Sequence, residues 1–173
     1  GGGQVEKPPV RVIAPPNSDP TMVKKLQDGF DRALDILGNS LLPCAQLFMP
    51  SAGYWAHGLS QAALAGTNYR LISLARRESG AATFPPDTVF ININGAFYNL
   101  KPAPNGEVHF NIPSPDNNRQ SISYSLDIVD FRAFILLHEL GHQAGVFPAD
   151  RELATNGSHS QQVLINCFGK SKP

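Results

Sequence analysis

The sequence lacks long hydrophobic runs and lacks clusters of basic residues. In its 173 residues no apolar stretch approaches the roughly eighteen consecutive residues that cross a bilayer, so we expect no membrane span. The 14 basic residues are balanced by 14 acidic ones, and no run of Lys or Arg is long enough to hold a phosphate backbone. We therefore expect no nucleic-acid partner.

Cysteine is also scarce, because Cys44 and Cys167 are the only two in the chain. They lie 123 positions apart, and a disulfide between them would stabilise the fold by about 4–5 kcal/mol in the chain-entropy description. The alternative is a pair of buried free thiols in a cytosolic protein. The few charged residues and the 15 Gly and 15 Pro favour an exported chain, so we expect a secreted or periplasmic protein with the disulfide formed.

The first 18 residues, 1–18, form an extended Pro-rich lead-in. They carry neither the charged nor the apolar region of a signal peptide, so we expect any export signal to have been removed already. Within the lead-in, "VRVIA" predicts a short strand that Pro15 ends. No change of composition divides residues 19–173, so we expect a single domain there, and a monomer.

The periodicity of the remaining chain predicts helices and strands in mixed order. Asp19 as N-cap and Pro20 at the first helical position begin an amphipathic helix that Gly38 ends. Two short helices are predicted in "LLPCAQLF" and "GLSQAALAG", and two strands in "YRLISLAR" and "DTVFININGAFY". Residues 99–120 are rich in Pro and Asn and predict a long surface loop around a short strand, "EVHFNI".

The last predicted elements are an edge strand, "SISYSL", and a helix near residues 128–143 that Asp127 caps. One further short helix is predicted in "RELATN". The combination of elements indicates an α+β domain in which a small mixed β-sheet packs with helices.

The helix near residues 128–143 carries the pattern H-E-x-x-H. His138 and His142 are four residues apart, which places both imidazoles on one helix face where a single metal ion can bind both. Zinc lowers the pKa of a bound water toward neutral, and a carboxylate at Glu139 could accept the proton of that water. The pattern therefore predicts Zn²⁺ ligands at His138 and His142 and a general base at Glu139.

The surroundings of the motif favour a metal site over ordinary packing. The preceding segment, "FRAFILL", is apolar around most of the helix, which implies burial. Burying ionisable side chains without partners is costly, so a shared ligand role is favoured over two hydrogen-bonded core histidines. Gly145, three residues after His142, can adopt the left-handed conformation that ends a helix and turns the chain back under the metal.

The segment "HELGHQAG", His138 to Gly145, resembles the active-site signature of zincin metallopeptidases, and its last glycine is similar in position to that of the metzincin branch. The resemblance implies a zincin-like fold, zinc bound by His138 and His142, and Glu139 as the general base. The chain departs from the metzincin pattern at two points. Pro148 stands where the third ligand is expected, and neither methionine lies downstream to form a Met-turn.

A catalytic zinc site usually has three protein ligands and a water, so a third ligand is expected further along the chain. Asp150 is the leading candidate, because the five residues after Gly145 can span up to about 16 Å. Some metzincin-like peptidases also use Asp as the third ligand. His159 and Glu152 are the alternatives. Asp150 could instead cap the next helix, and His159 could lie in a surface loop.

These residues predict a zinc-dependent peptidase that hydrolyses a peptide or protein substrate. The strand "VFININ" would pair with an extended substrate if it lies at the sheet edge, and the alternative is a central strand buried on both faces. A second possible function is a non-catalytic, zinc-stabilised binding module or pseudo-peptidase, in which four protein ligands close the site. A third is a metal-dependent amidase that acts on a cell-wall peptide.

Other polar residues have no clear place in this scheme. Tyr98, Tyr124 and Arg151 are unranked candidates for stabilising the oxyanion of the tetrahedral intermediate, as is His159 if it is not a ligand. His57 and His109 lie apart from the motif in the sequence, and we expect both to be surface or local structural residues.

Overall fold

The described part of the chain folds into two small sheets packed with helices. The computed structural model describes residues 7–16, 18–48, 59–75, 80–84, 87–117 and 119–173. The strands in these ranges are β1 Arg11–Ile13, β2 Asn68–Ile72, β3 Ala81–Phe84, β4 Thr88–Asn92, β5 Glu107–Pro113 and β6 Ser121–Asp127. The helices are α1 Pro20–Gly38, α2 Cys44–Leu47, α3 Leu59–Ala65, α4 Ala96–Asn99, α5 Ile128–Gln143 and α6 Leu153–Phe168. None of these helices has the length and apolarity that crossing a bilayer requires.

The larger sheet has the strand order β1-β2-β4-β3. Strands β1, β2 and β4 run parallel, whereas β3 pairs antiparallel with β4, with Ala81 opposite Ile91 and Phe84 opposite Thr88. Strands β5 and β6 form a separate antiparallel pair. This mixture of helices and small sheets is compatible with the predicted α+β class, and β1, from the predicted lead-in, belongs to the larger sheet.

Helices α1 and α5 begin and end where the sequence predicts. Asp19 caps α1 by accepting a hydrogen bond from the Thr21 amide, and Asp127 caps α5 in the same way through the Val129 amide. The core face of α1 consists of buried residues spaced three and four apart, namely Leu26, Phe30, Ala33, Leu34 and Leu37. Because α1 packs against α5, the helix that carries H-E-x-x-H is held inside the fold.

The strand predicted from "DTVFININGAFY" is wrong in its extent. Strand β4 ends at Asn92, whose side-chain oxygen accepts hydrogen bonds from the Leu74 and Asn94 amides, and Ala96–Asn99 then forms α4. Strand β4 also lies between β2 and β3. Of the two positions considered for "VFININ", the sheet edge is therefore wrong and the centre of the sheet is confirmed. The edge strand next to β4 is β3, which the sequence does not predict because four residues are too few to show a period.

One predicted strand is confirmed, whereas one predicted helix is too short. The short strand "EVHFNI" is β5, which extends one residue further to Pro113 and has Val108 and Ile112 buried toward α5 and α6. Helix α6 extends to Phe168, well beyond the short helix predicted in "RELATN". Its Asn, Gly and Ser residues are weak helix formers, but its apolar face is buried, and tertiary packing outweighs intrinsic propensity.

A disulfide between Cys44 and Cys167 joins α2 to the end of α6. Both cysteines are buried in the core. The bond therefore ties α6 to the N-terminal half of the chain.

Removing this disulfide is expected to lower the free energy of unfolding. We expect the Cys44→Ala, Cys167→Ala double variant to lose about 4–5 kcal/mol, because the unfolded chain regains the entropy of a long open loop. Urea unfolding followed by circular dichroism measures the change. The wild type unfolded in reducing buffer should show the same loss, and an unchanged midpoint in both experiments would contradict a stabilising role.

Candidate metal centre

Helix α5 holds the polar residues of H-E-x-x-H in a largely buried position. His138 and Glu139 are only 6% and 7% exposed, although both side chains are polar. Leu136, Leu137 and Leu140 of the same helix lie in the core and fix its rotation. Buried ionisable groups of this kind require polar partners, and the surrounding elements provide them.

The chain reverses direction immediately after α5. Gly145 has a φ of 73°, the left-handed conformation that the sequence predicts for it. The amides of Val146 and Phe147 both donate to the Gly141 carbonyl and close the turn. The Phe147 ring lies so close to Gly141 that any side chain there would overlap it. The reversal carries the following segment, with Asp150, back toward α5.

His138, His142 and Asp150 converge on one point. Asp150 Oδ2 lies 2.9 Å from Nε2 of each histidine, and the two Nε2 atoms are 3.2 Å apart. One ligand atom from each of the three residues lies within 4.8 Å of the others. A group of two imidazoles and one carboxylate could hold a metal ion. The structure thus brings together the three residues that the sequence predicts as ligands.

The second nitrogen of each imidazole has its own partner. His142 Nδ1 lies 3.2 Å from the Phe147 carbonyl oxygen. A carbonyl only accepts, so Nδ1 carries a proton. Nε2 also carries one when it donates to Asp150, and loss of that proton would expose the lone pair that can bind a metal ion. His138 Nδ1 lies 3.1 Å from the Ser160 hydroxyl oxygen. Contacts of this kind fix ring orientation and are typical of metal-binding histidines.

Burial and hydrogen bonding shift the protonation of the group. Burial acts to raise the pKa of Asp150, but hydrogen bonds from His138 and His142 outweigh it and hold this pKa well below its usual value. Burial acts to lower the pKa of His142, yet the hydrogen bond to Asp150 leaves it raised. The pKa of His159 is lowered by its burial, despite a hydrogen bond to Asp150. Asp150 is therefore ionised at neutral pH and can act as an anionic ligand.

Glu139 lines an open cleft beside this group. Its carboxylate accepts a hydrogen bond from the Thr83 hydroxyl of β3. The cleft has a volume of about 400 Å³, and Glu139, His142 and Asp150 all face it. Strand β3 forms one wall through residues 81–83. The predicted general base and two of the predicted ligands thus border the same accessible space.

Helix α6 supplies contacts that the sequence analysis missed. His159 Nδ1 lies 2.6 Å from Asp150 Oδ1, and the Asn156 amide donates to Asp150 Oδ2 at 3.1 Å. With Ser160, these residues occupy positions i, i+3 and i+4 on one helix face. A predicted helix as long as α6 would have placed these three side chains together, because this spacing puts them on one face. His159 is 5% exposed and lies within α6, so the alternative that it occupies a surface loop is wrong.

The alternative third ligands occupy other positions. Glu152 is exposed and stands at the N-cap of α6, so Asp150 does not cap this helix. His159 contacts Asp150 through Oδ1, whereas the two histidines of α5 contact Oδ2. Of the three candidates, Asp150 is the one grouped with His138 and His142.

The remaining candidates have structural or exposed positions. The hydroxyls of Tyr98 and Tyr124 donate to backbone carbonyls elsewhere in the fold. Arg151 is exposed beside the group. His109 is exposed on β5, as expected for a surface residue, and His57 lies outside the described residues.

The site as a whole combines nitrogen and oxygen ligands with an adjacent carboxylate in an open cleft. Such an arrangement is suited to binding a metal ion and to transferring a proton beside it. Comparisons with protein-family models, with curated proteins and with solved structures found no match to this chain.

Proposed function

We propose that this protein is a zinc-dependent peptidase with a single zincin-like catalytic domain that comprises residues 19–173 together with strand β1. The observation that carries the proposal is the convergence of His138, His142 and Asp150 beside Glu139 in an open cleft. Two histidines on one helix face with an acid directly after the first are what the resemblance of "HELGHQAG" to zincins implies, and Asp150 is the third ligand that the sequence favours.

The spacing of the ligand atoms is compatible with a zinc ion. Ligand atoms bound to a tetrahedral zinc at about 2.0–2.1 Å lie about 3.3 Å from one another. The corresponding atoms of His138, His142 and Asp150 are separated by 2.9 Å and 3.2 Å. Imidazole nitrogen with carboxylate oxygen is a ligand set that zinc accepts. Three protein ligands leave one position open, which is typical of catalytic rather than structural zinc sites.

Glu139 is the proton-transfer group in this proposal. Zinc bound at the group would polarise a substrate carbonyl and lower the pKa of water toward neutral. Glu139 accepts the proton of the attacking water and later donates a proton to the leaving amine. The Thr83 hydroxyl holds one carboxylate oxygen of Glu139, so the other oxygen is the one directed to this task.

Strand β3 supports a peptide as the substrate. It lies at one edge of the larger sheet, opposite to the β1 edge; it is paired on one side with β4, and its residues 81–83 line the cleft. An extended peptide binds to such an edge by continuing the sheet with main-chain hydrogen bonds. We therefore assign to β3 the substrate-pairing role that the sequence analysis considered for "VFININ".

A second, apolar hollow adjoins the cleft. It has a volume of about 460 Å³ and is lined by Phe110, Phe131 and Phe134. Asn156, which contacts Asp150, lines both spaces, so they meet at this residue. Because a helix rises about 1.5 Å per residue, Phe134 stands about 6 Å from His138 along α5. We expect substrates with an apolar side chain near the cleaved bond.

The buried disulfide supports a location outside the cytoplasm. Disulfides persist in oxidising compartments and are rare where glutathione and thioredoxin keep thiols reduced. The bond between Cys44 and Cys167 therefore favours a secreted or periplasmic protein.

Metal analysis and peptide cleavage test the proposed function together. We expect one zinc per chain, cleavage of a mixed peptide library next to apolar residues, and loss of cleavage on chelation that added zinc restores. Zinc binding without cleavage of any peptide would favour the non-catalytic binding module instead. Failure to bind zinc after reloading would contradict the proposed site.

A further inference from the structure

We propose that His159 is a positioning residue that orients the carboxylate of Asp150 toward the two histidines of α5. The inference rests on the proposed metal site and adds helix α6 to it. In this arrangement His159 acts on the metal through Asp150 and is not itself a ligand.

The two oxygens of the Asp150 carboxylate have separate partners. His159 Nδ1 contacts Oδ1 at 2.6 Å, while Nε2 of His138 and of His142 each contact Oδ2 at 2.9 Å. A carboxylate bound at both ends cannot rotate freely about its last torsion. Asp150 lies in the irregular segment between α5 and α6, so its orientation has to come from contacts of this kind rather than from regular secondary structure.

The ring of His159 is itself fixed by packing. It is buried, and it stacks on the Phe147 ring with centroids 4.4 Å apart and planes 7° from parallel. Phe147 is fixed in turn, because its ring lies over Gly141 and its carbonyl oxygen accepts from His142 Nδ1. The hydrogen bond to Asp150 therefore starts from a side chain with a defined position.

Helix α6 makes further contacts with the ligands. Asn156 donates to Asp150 Oδ2 at 3.1 Å, and the Ser160 hydroxyl lies 3.1 Å from His138 Nδ1. With His159, this one helix face contacts two of the three candidate ligands. Residues beside metal ligands typically contribute 10–100-fold to metal affinity, even though they do not touch the metal.

Three substitutions of His159 test this role by zinc affinity rather than by activity. His159→Phe keeps a ring that can stack on Phe147 but removes Nδ1. His159→Asn places an amide nitrogen near the position of Nδ1, whereas His159→Gln places it one bond further out. Competition with a chromophoric chelator measures zinc affinity, and thermal unfolding of the zinc-free proteins verifies that each variant is folded.

We expect zinc affinity to fall about 10–100-fold in His159→Phe and in His159→Gln, and to be largely restored in His159→Asn. X-ray absorption of the zinc-loaded variants should show the same number of nitrogen ligands as the wild type. Wild-type affinity in His159→Phe, or equal affinities in the Asn and Gln variants, would overturn the inference. Loss of one nitrogen ligand in His159→Phe would also overturn it, because His159 would then be a ligand.

The Asn and Gln variants decide the question even if His159→Phe does not fold, because both retain a polar side chain at this position. Failure of the proposed function has a different signature. In that case the wild type itself binds no zinc, whereas failure of the present inference leaves a wild type that binds zinc and variants that match it.

Discussion

Replacement of Glu139 by Gln is expected to lower kcat/KM for peptide cleavage by about 10²–10⁴-fold, the range that general acid–base groups contribute. Gln has nearly the shape of Glu, and its carbonyl oxygen can still accept the hydrogen bond from Thr83, so the cleft should keep its form. The amide cannot accept a proton at neutral pH. Glu139 is not one of the three grouped ligands, so zinc content should equal that of the wild type.

The matched control for this experiment is Glu152→Gln. It removes the same charge from an exposed residue at the N-cap of α6, away from the carboxylate that lines the cleft. We expect this control to retain wild-type kinetics. Steady-state cleavage of one peptide, together with zinc analysis, measures both properties. Wild-type activity in Glu139→Gln would exclude Glu139 as the general base.

Replacement of Asp150 by Ala is expected to weaken zinc binding by more than about 100-fold, because even residues that only contact a ligand contribute 10–100-fold. Asp150 Oδ2 is the atom that both histidines share, and the carboxylate is the anionic member of the group. Without it, His138 and His142 face each other with no opposite charge between them. Chelator competition measures the affinity directly.

Two further variants sharpen the interpretation of Asp150→Ala. Asp150→Asn keeps the side-chain volume and one oxygen but loses the charge, so we expect an affinity between those of the wild type and the alanine variant. Glu152→Ala removes an exposed carboxylate that is close to Asp150 in the sequence but does not line the cleft, and it should leave zinc affinity unchanged. Wild-type affinity in Asp150→Ala would show that the third ligand lies elsewhere.

Helices α1 and α5 are the parts of the fold that the sequence predicts best. Each has an Asp at its N-cap whose side chain accepts from an amide of the first turn. Capping and apolar periodicity are properties of neighbouring residues, so they are visible without any knowledge of the rest of the chain. The placement of His138 and His142 on one face of α5 follows from the same local geometry.

The elements that the sequence missed or made too short depend on contacts between distant segments of the chain. Strand β3 is a strand because it pairs with β4, and its four residues carry no period of their own. Helix α6 contains weak helix formers and forms because its apolar face is buried against other elements.

The sequence alone determined a helix with two imidazoles four residues apart, a carboxylate beside the first, and a glycine that ends the helix. Tertiary structure decided which acidic residue faces those imidazoles, because that depends on how the turn at Gly145 and the packing of α6 bring Asp150 back to α5. It also decided that His159 contacts Asp150 Oδ1 and that β3 borders the cleft. Helical spacing is set by the backbone within one turn, whereas these contacts are set by side-chain packing between residues far apart in the chain.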